Sequence, residues 1–363
     1  MEVRFGIVGP GKVAQLHSDA LARIPGARLA AVVGRDPDRA GRLAKPHGAR
    51  VDPSLDAMIE RGGVDAAILC TPHPLHAEQG VAAANAGLHV VVEKPMALHA
   101  ADAERMIAAA AGSGVVLSVV SQRRWYEAVR RVKDAIDDGR IGRPALASVE
   151  VLGWRGADYY AMDAWRGTAA GEGGGVLVNQ AVHQLDLVTW LLGAAVEVDG
   201  WVTNVNHPEI EVEDSAVSIV RFAGGALGTI IASNSQRPGL YARIHVHGTS
   251  GASVGVETDG GSVFVAGLSL PTVARNDLWT VPGEEDLPER WLEADRDSLV
   301  DVDVASHYHE LQLRDVVAAI REGRPPAVTG QDGLGTVELM AAIYRASRDG
   351  GRVRIPTRGP PAA

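Results

Sequence analysis

In the first 120 residues the apolar positions fall into short unbroken runs, separated by stretches in which they recur at helical spacing. The runs Val3–Val8, 29–33, 64–70, His89–Val92 and 115–120 are rich in β-branched residues and each predicts a strand. Helices are predicted at 15–24, where Pro25-Gly26 stops the pattern, and after Asp36-Pro37, where the aspartate caps and the proline fills the first turn. Alanine-rich stretches at 75–86 and 100–111 supply two more. Short strands apolar on both faces, alternating with helices, predict a parallel sheet covered on both sides.

The period changes after about residue 122. An amphipathic helix is predicted at 124–138 and a strand from 147 to 152. Alternating runs at 215–222, 227–233, 243–248 and 252–256, within a β-rich stretch reaching 265, are divided by glycine turns such as Ala223-Gly224-Gly225. That pattern predicts an antiparallel sheet. Helices follow at 306–322 and 331–349, and the Pro/Gly/Ala-rich tail after Pro356 is expected to fray. The expected class is therefore α/β. A parallel-sheet α/β domain would span 1–122, and an α/β domain with an open and mostly antiparallel sheet would span 123–363.

Composition narrows the class. A chain of 363 residues with 46% hydrophobic residues can build two cores, and a formal charge of −10 argues against a nucleic-acid partner. The single cysteine, Cys70, permits no internal disulfide and fits a reducing compartment. The opening residues lack the basic-then-apolar layout of a signal peptide, and no apolar stretch reaches the roughly 20 residues needed to span a bilayer. A cytoplasmic protein without a membrane partner is expected. His245-x-His247 and His307-x-His309 lack companions at ligand spacing, so no metal is expected.

The first chemical signal is Gly9-Pro10-Gly11-Lys12-Val13-Ala14, which fills G-x-G-x-x-G/A between a predicted strand and a predicted helix. The first glycine permits the tight turn, the second lets backbone approach a pyrophosphate, and the small third residue lets helix pack on strand. The helix N-terminus then offers N–H groups to phosphate. At the end of the second strand, where an acid would bind the ribose 2′-hydroxyl of NAD, the chain has Gly34-Arg35. Glycine leaves room for a 2′-phosphate and Arg35 could pair with it, so NAD(P) is expected with a leaning to NADP.

The run at 89–92 ends in Glu93-Lys94-Pro95, which places Lys94 at the carboxyl end of a strand, where open α/β sheets bind ligands. With the glycine turn come Thr71-Pro72-x-x-x-His76 and Gly87-x-His89. Later come Trp165-Arg166-Gly167-Thr168, the run Gly173-Gly174-Gly175 leading into Asn179-Gln180-Ala181-Val182-His183-Gln184-Leu185-Asp186, and Thr329-Gly330-x-Asp332-Gly333. This combination closely resembles the Gfo/Idh/MocA oxidoreductases, the relatives of glucose–fructose oxidoreductase and inositol dehydrogenase, over nearly the whole chain.

The resemblance implies a Rossmann dinucleotide-binding domain over 1–122, a substrate-binding and oligomerisation domain over 123–363, and hydride transfer between nicotinamide and a ring hydroxyl or ketone of a sugar or inositol. It places the catalytic group on Lys94, Asn179 and His183. Asn179 stands where the inositol dehydrogenase pattern has aspartate; an amide cannot exchange protons, so its role shrinks to hydrogen bonding. Spacing puts Asn179 and His183 on one helix face. His183 suits the general acid/base and Lys94 the stabiliser of alkoxide charge and proton relay, although the residues alone leave the base open between them. Cofactor contacts are expected from Gly9, Pro10, Gly11, Lys12, Val13, Arg35, Thr71, Pro72, His76, Glu93 and Lys94. Substrate contacts are expected from Lys94, Arg123, Trp165, Arg166, Asn179, His183 and Asp186, with the aromatic Trp154 and Tyr159-Tyr160 nearby. By analogy with the family, a homodimer or homotetramer is expected. Two rivals share the fold: a glycosidase that oxidises and re-reduces its sugar on bound NAD, and a non-catalytic cofactor-binding regulator.

Overall fold

The computed structural model describes residues 2–260 and 273–356, so the tail after Pro356 and the end of the run to 265 lie outside the described residues. The chain forms two compact units. The first begins with β1 (Val3–Val8), α1 (Lys12–Ala22), β2 (Ala27–Val33), α2 (Pro37–Ala44), β3 (Arg50–Asp52) and α3 (Leu55–Arg61). It continues with β4 (Ala66–Leu69), α4 (His76–Asn85), β5 (His89–Val92), α5 (Ala100–Ser113) and β6 (Leu117–Val119). Its six strands run in the order β3-β2-β1-β4-β5-β6, every pair parallel. The order reverses direction between β1 and β4, which opens the crevice that such sheets use for ligands. Asp36 caps α2 by accepting from the N–H groups of Asp38 and Arg39, as its position before proline predicted.

The second unit holds α6 (Glu127–Asp137), β7 (Pro144–Leu152), two short helices α7 (Ala157–Ala161) and α8 (Ala169–Glu172), a π-helical turn at Leu177–Ala181, and α9 (Val182–Leu192). Then come β8 (Ala195–Thr203), β9 (Ser215–Phe222), β10 (Leu227–Ser233), β11 (Tyr241–Gly248), β12 (Ser253–Gly260), β13 (Arg275–Trp279) and α10 (Leu287–Ser298). With the closing β14 (Val353–Arg354), the strands form one sheet in the order β13-β12-β11-β7-β10-β9-β8-β14. All its pairs are antiparallel except β7 with β10. The α/β class and mostly antiparallel second sheet agree with the expectation.

The division of the chain differs from 1–122 and 123–363. Residues Asp303–Val337, including α11 (Val304–Glu322) and the first part of α12 (Gly330–Asp349), cluster with the first unit. The reason is a stripe at helical spacing: Leu313, Val316 and Val317 of α11 are buried in the same core as Phe5, Ile7, Ala14, Ala20 and Leu21. Arg23 and Glu310 reinforce the stripe with an ion pair at 2.5 Å.

Candidate active site

The glycine turn leaves β1 with Gly9 at φ +95°, and a Cβ there would lie 2.9 Å from the carbonyl oxygen of Cys70 on the neighbouring strand end. Only glycine meets both demands. Gly11 opens α1 as an N-cap residue with no side chain of its own to cap the helix N–H groups. A tight backbone cradle ahead of an uncapped eleven-residue helix fits a dinucleotide pyrophosphate. Pro10 and Val13 are half-buried beside the cradle and Lys12 is exposed at the helix start.

Gly34 has a packing reason. A Cβ there would stand 2.9 Å from Pro10 Cγ and 3.1 Å from the Ala40 Cβ, so the turn proline itself excludes a larger residue, acidic or otherwise. Arg35 is exposed at the end of β2.

Below the surface lies a cluster that the sequence did not reveal. Glu93 is buried and its Oε1 is 2.7 Å from His17 Nε2, while its Oε2 accepts from the Lys94 N–H at 3.2 Å. His17 and His309 meet edge to face, with ring centroids 5.1 Å apart. Burial pushes the Glu93 carboxyl up, but the His17 hydrogen bond and charge, with the charges of His309 and Lys94, outweigh it and hold the group at about 2. Burial and the His17 charge push His309 down to about 4. His76 is fully buried, with Nδ1 2.9 Å from the Pro95 carbonyl and Nε2 2.9 Å from that of Thr71. It braces the Lys94–Pro95 turn, whose peptide is cis, against the end of β4.

The side-chain polar atoms of Glu93 and His76, two residues expected at the cofactor, are engaged inside the fold, where they shape the backbone that carries Lys94. Lys94 itself is half-buried just past β5. Thr71 is half-buried, with its hydroxyl donating to Gln79 Oε1 at 2.6 Å, and Pro72 is exposed.

His309 gives a testable pH dependence. Its folded pKa lies below the ordinary 6.5, so unfolding releases a site that binds a proton more readily. The stability this contributes is present above 6.5 and is lost as pH falls from 6.5 through about 4. The Glu93 contribution is lost lower, as pH falls from 4.5 to about 2. Denaturant midpoints across the upper window should fall with acid in the native protein and fall less in His309→Gln. Equal slopes would remove His309 as the source.

In the second unit, the glycine run lets the chain pass under a buried acid. A Cβ on Gly175 would lie 1.7 Å from the Glu213 carbonyl oxygen, so no larger residue fits. Glu213 accepts from the N–H groups of Gly175 at 2.8 Å and Leu177 at 3.0 Å, and from the Tyr344 hydroxyl at 2.8 Å. It thereby satisfies the start of the π turn. Burial pushes its carboxyl up, against those hydrogen bonds.

Asn179 lies in that π turn and His183 in the first turn of α9. The plain α-helical face expected for them is thus replaced at Asn179 by i→i+5 winding, a feature frequent at functional sites. Both side chains are half-buried. Asn179 Nδ2 donates to the Tyr159 hydroxyl at 2.9 Å and to Glu172 Oε1. Tyr159 also receives Arg166 Nη1 at 2.7 Å and Gln180 Nε2 at 3.2 Å. The Arg166 guanidinium lies 4.6 Å from the ring centroids of both Tyr159 and Trp165. Gln180 Oε1 accepts from Asn234 at 2.9 Å. Trp165, Arg166 and Asn179 therefore lie together, joined by Tyr159, Glu172, Gln180 and Asn234. Of these four, Tyr159 stood out in the sequence through its aromatic cluster and Gln180 through the run that begins at Asn179, whereas Glu172 and Asn234 were not singled out. A lone glutamate inside Gly171-Glu172-Gly173 could have marked Glu172.

Two expected substrate residues are paired inside the unit. The Arg124 guanidinium holds both Asp186 oxygens, with Nε–Oδ2 at 3.0 Å and Nη2–Oδ1 at 2.6 Å, and both residues are buried. Arg123 Nη1 donates to Asp259 Oδ2 at 2.5 Å and to the Thr258 hydroxyl at 3.0 Å. The Asp186 charge is balanced within the fold by Arg124.

Comparison with known proteins agrees with this geometry at both ends. The oxidoreductase family model with an NAD-binding Rossmann fold matches residues 3–121. The GFO/IDH/MocA C-terminal domain model matches 129–254. The chain belongs to the GFO/IDH/MocA family. This GFO/IDH/MocA oxidoreductase is 29% identical over 360 residues to the myo-inositol 2-dehydrogenase of Thermotoga maritima, covering 97% of this chain and 98% of that one. It is 28% identical over 358 residues to the 1,5-anhydro-D-fructose reductase of Ensifer adhaerens, covering 98% and 99%. Among solved structures, the WlbA dehydrogenase from Bordetella pertussis, in complex with NADH and UDP-GlcNAcA, superimposes with a TM-score of 0.84 at 32% identity, covering 99% and 100%. Among the described residues, no helix of this family member is long and apolar enough to cross a membrane.

Proposed function

We propose that the protein is a dehydrogenase or ketoreductase that moves a hydride between NAD(P) and a ring hydroxyl or ketone of a sugar or inositol. The observation that carries this reading is the constellation around the π turn. Asn179, Gln180, Tyr159 and Arg166 gather hydrogen-bonding groups beside aromatic faces, immediately ahead of His183. Aromatic faces suit sugar C–H groups and fixed amides suit their hydroxyls. Relatives named for inositol and anhydrofructose chemistry support the same class.

When bound, the nicotinamide supplies the hydride acceptor or donor. In the oxidising direction His183 takes the hydroxyl proton as general base. Lys94 steadies the developing alkoxide charge and relays the proton. Asn179 accepts a hydrogen bond and moves no proton. The deciding experiment is a panel of myo-inositol, scyllo-inositol, glucose, levoglucosan and UDP-GlcNAcA with NAD and NADP, read by reduced-nicotinamide absorbance. Turnover of a ring alcohol supports the reading. Glycoside cleavage without net absorbance change would replace it with the transient-oxidation glycosidase.

NADP preference is proposed on Arg35. Pro10 keeps an acid out of position 34, and the exposed guanidinium next to it can pair with a 2′-phosphate. Arg35→Ala should weaken NADP binding roughly tenfold more than NAD binding, in line with loss of one charge-assisted contact. Equal losses in fluorescence titrations with the two reduced cofactors would remove the argument.

A second copy of this chain is the proposed occupant of the second sheet's outer face. Leu146, Trp201, Val217, Ile219, Leu227 and Ile231 are all exposed there, and strand register places them on one face. They line or adjoin a hollow of about 540 Å³ whose rim carries Glu197 with Arg221 and Arg352. An apolar centre inside a rim of both charge signs is self-complementary. Sedimentation should show a dimer or tetramer that Ile219→Asp dissociates; a monomeric native protein would end this proposal.

A further inference from the structure

We infer that Glu172 is a positioning residue which, with Tyr159, turns Asn179 into an acceptor-only group and bars an acid from position 179. The inference deepens the proposed function and rests on it for the nature of the ligand. Glu172 ends the short helix α8 and is 1% exposed. Its Oε2 accepts from the Gly167 N–H at 2.6 Å, which anchors the carboxylate to the segment carrying Trp165 and Arg166. Its Oε1 accepts from Asn179 Nδ2. The Tyr159 hydroxyl meets the same nitrogen at 2.9 Å. A carboxamide has two N–H donors and one oxygen with two acceptor sites. With the nitrogen turned to Glu172 and Tyr159, the group that Asn179 can offer elsewhere is its carbonyl oxygen. A carbonyl acceptor recognises a hydroxyl by its hydrogen and gives nothing to a ketone oxygen. Asn179 would therefore read a hydroxyl on the sugar ring rather than polarise the reacting carbonyl.

The same geometry explains why an amide occupies the site. An aspartate at 179 would set a second carboxylate against a buried one, and like charges that close cannot both ionise. The titratable and charged groups facing this spot are Arg155, Tyr159, Tyr160 and Arg166 from the 155–166 segment, Glu213 ahead of β9, and Tyr344 on α12. Burial keeps Tyr159 protonated; the Arg166 charge opposes this, the Glu172 charge adds to it, and Arg155 and the Gln180 hydrogen bond pull the other way.

The test has two arms on the full-length protein. The first uses no substrate: melting temperature is followed from pH 5 to pH 8 for wild type, Asn179→Asp and the double variant Glu172→Gln with Asn179→Asp. In Asn179→Asp the paired carboxyls would titrate above their unfolded values, so stability is present at low pH and is lost as pH rises. A loss of at least about 4 °C beyond wild type over that range is expected, with the double variant restored because the amide introduced at position 172 can donate to the new carboxylate. If Asn179→Asp does not fold at neutral pH while the double variant does, the inference is equally supported. Parallel curves for all three, or a double variant as unstable as the single, would overturn it. The second arm uses the best polyol from the panel above. Glu172→Gln turns a donor toward Asn179 and should lower kcat roughly 10- to 100-fold, the scale of a misplaced reacting group, while the KM for NAD is unchanged. An unchanged kcat, or an equal loss of cofactor binding, would count against positioning. A panel without turnover would remove the functional reading and leave the pH arm to decide this inference alone.

Discussion

His183→Ala is expected to lower kcat about a thousandfold while NAD(H) still binds with near-native affinity. Removing a hydroxyl proton at neutral pH needs a base that is partly unprotonated there, and imidazole is the side chain whose ordinary pKa meets that need. General-base contributions of about 10²- to 10⁴-fold set the size of the loss. His183 lies in the second unit, whereas the phosphate cradle of Gly9 and Gly11 is built entirely within the first, so cofactor affinity has no reason to follow the substitution. Lys94→Ala should also cost most of the turnover, but with a different signature. Loss of a base flattens the acid limb of the pH–rate profile, and loss of a fixed cation lowers the whole profile. Stopped-flow single turnovers with NAD and the panel's best substrate would separate the two. A His183→Ala enzyme within tenfold of wild type would remove His183 as the base and leave Lys94 as the candidate.

The second large effect concerns stability. Asp186→Ala should destabilise the protein by about 3–5 kcal/mol, because it leaves the buried Arg124 guanidinium without the carboxylate that holds it bidentately. Arg124 also lies over the Trp190 ring at 5.2 Å, so it has little freedom to swing toward solvent. Replacing both partners by apolar residues of similar size should cost much less than removing either alone, since no charge is then stranded. Urea denaturation of Asp186→Ala, Arg124→Met and the pair would measure this. If Asp186→Ala unfolded with a native midpoint and lost only substrate affinity, the substrate-binding role expected from the sequence would hold instead.

The first unit was legible in the sequence because its strands, buried on both faces, are written as unbroken apolar runs. The run at 64–70 became Ala66–Leu69, and His89–Val92 matches as it stands. β3 escaped because Arg-Val-Asp is three residues long and mostly polar, and its place in the sheet comes from pairing with β2. The glycine turn was legible because its requirements are local. The absence of an acid at Gly34 was visible in the sequence, but its packing against Pro10 appears only in three dimensions. The hydrogen-bond partners of the site were the least legible part. Asp186 looked like a site residue because it follows His183, yet its partner Arg124 is 62 residues away. Glu172 sits among glycines, where a charged residue reads as a solvated loop, and its burial depends on Asn179 and the Gly167 N–H. Periodicity reports which face of an element is covered; it does not report which polar group meets which.

The placement of α11 in the first core bears on how the protein is made. A ribosome that has released residues 1–122 has delivered every strand of the parallel sheet, but not Leu313, Val316 and Val317, which share a core with Phe5 and Ile7. That apolar surface must wait for almost two hundred further residues of synthesis before its permanent cover arrives. During that interval the nascent sheet is a natural client for a chaperone, and a gene fragment cut at the apparent domain boundary would encode a sheet with one flank left open to water.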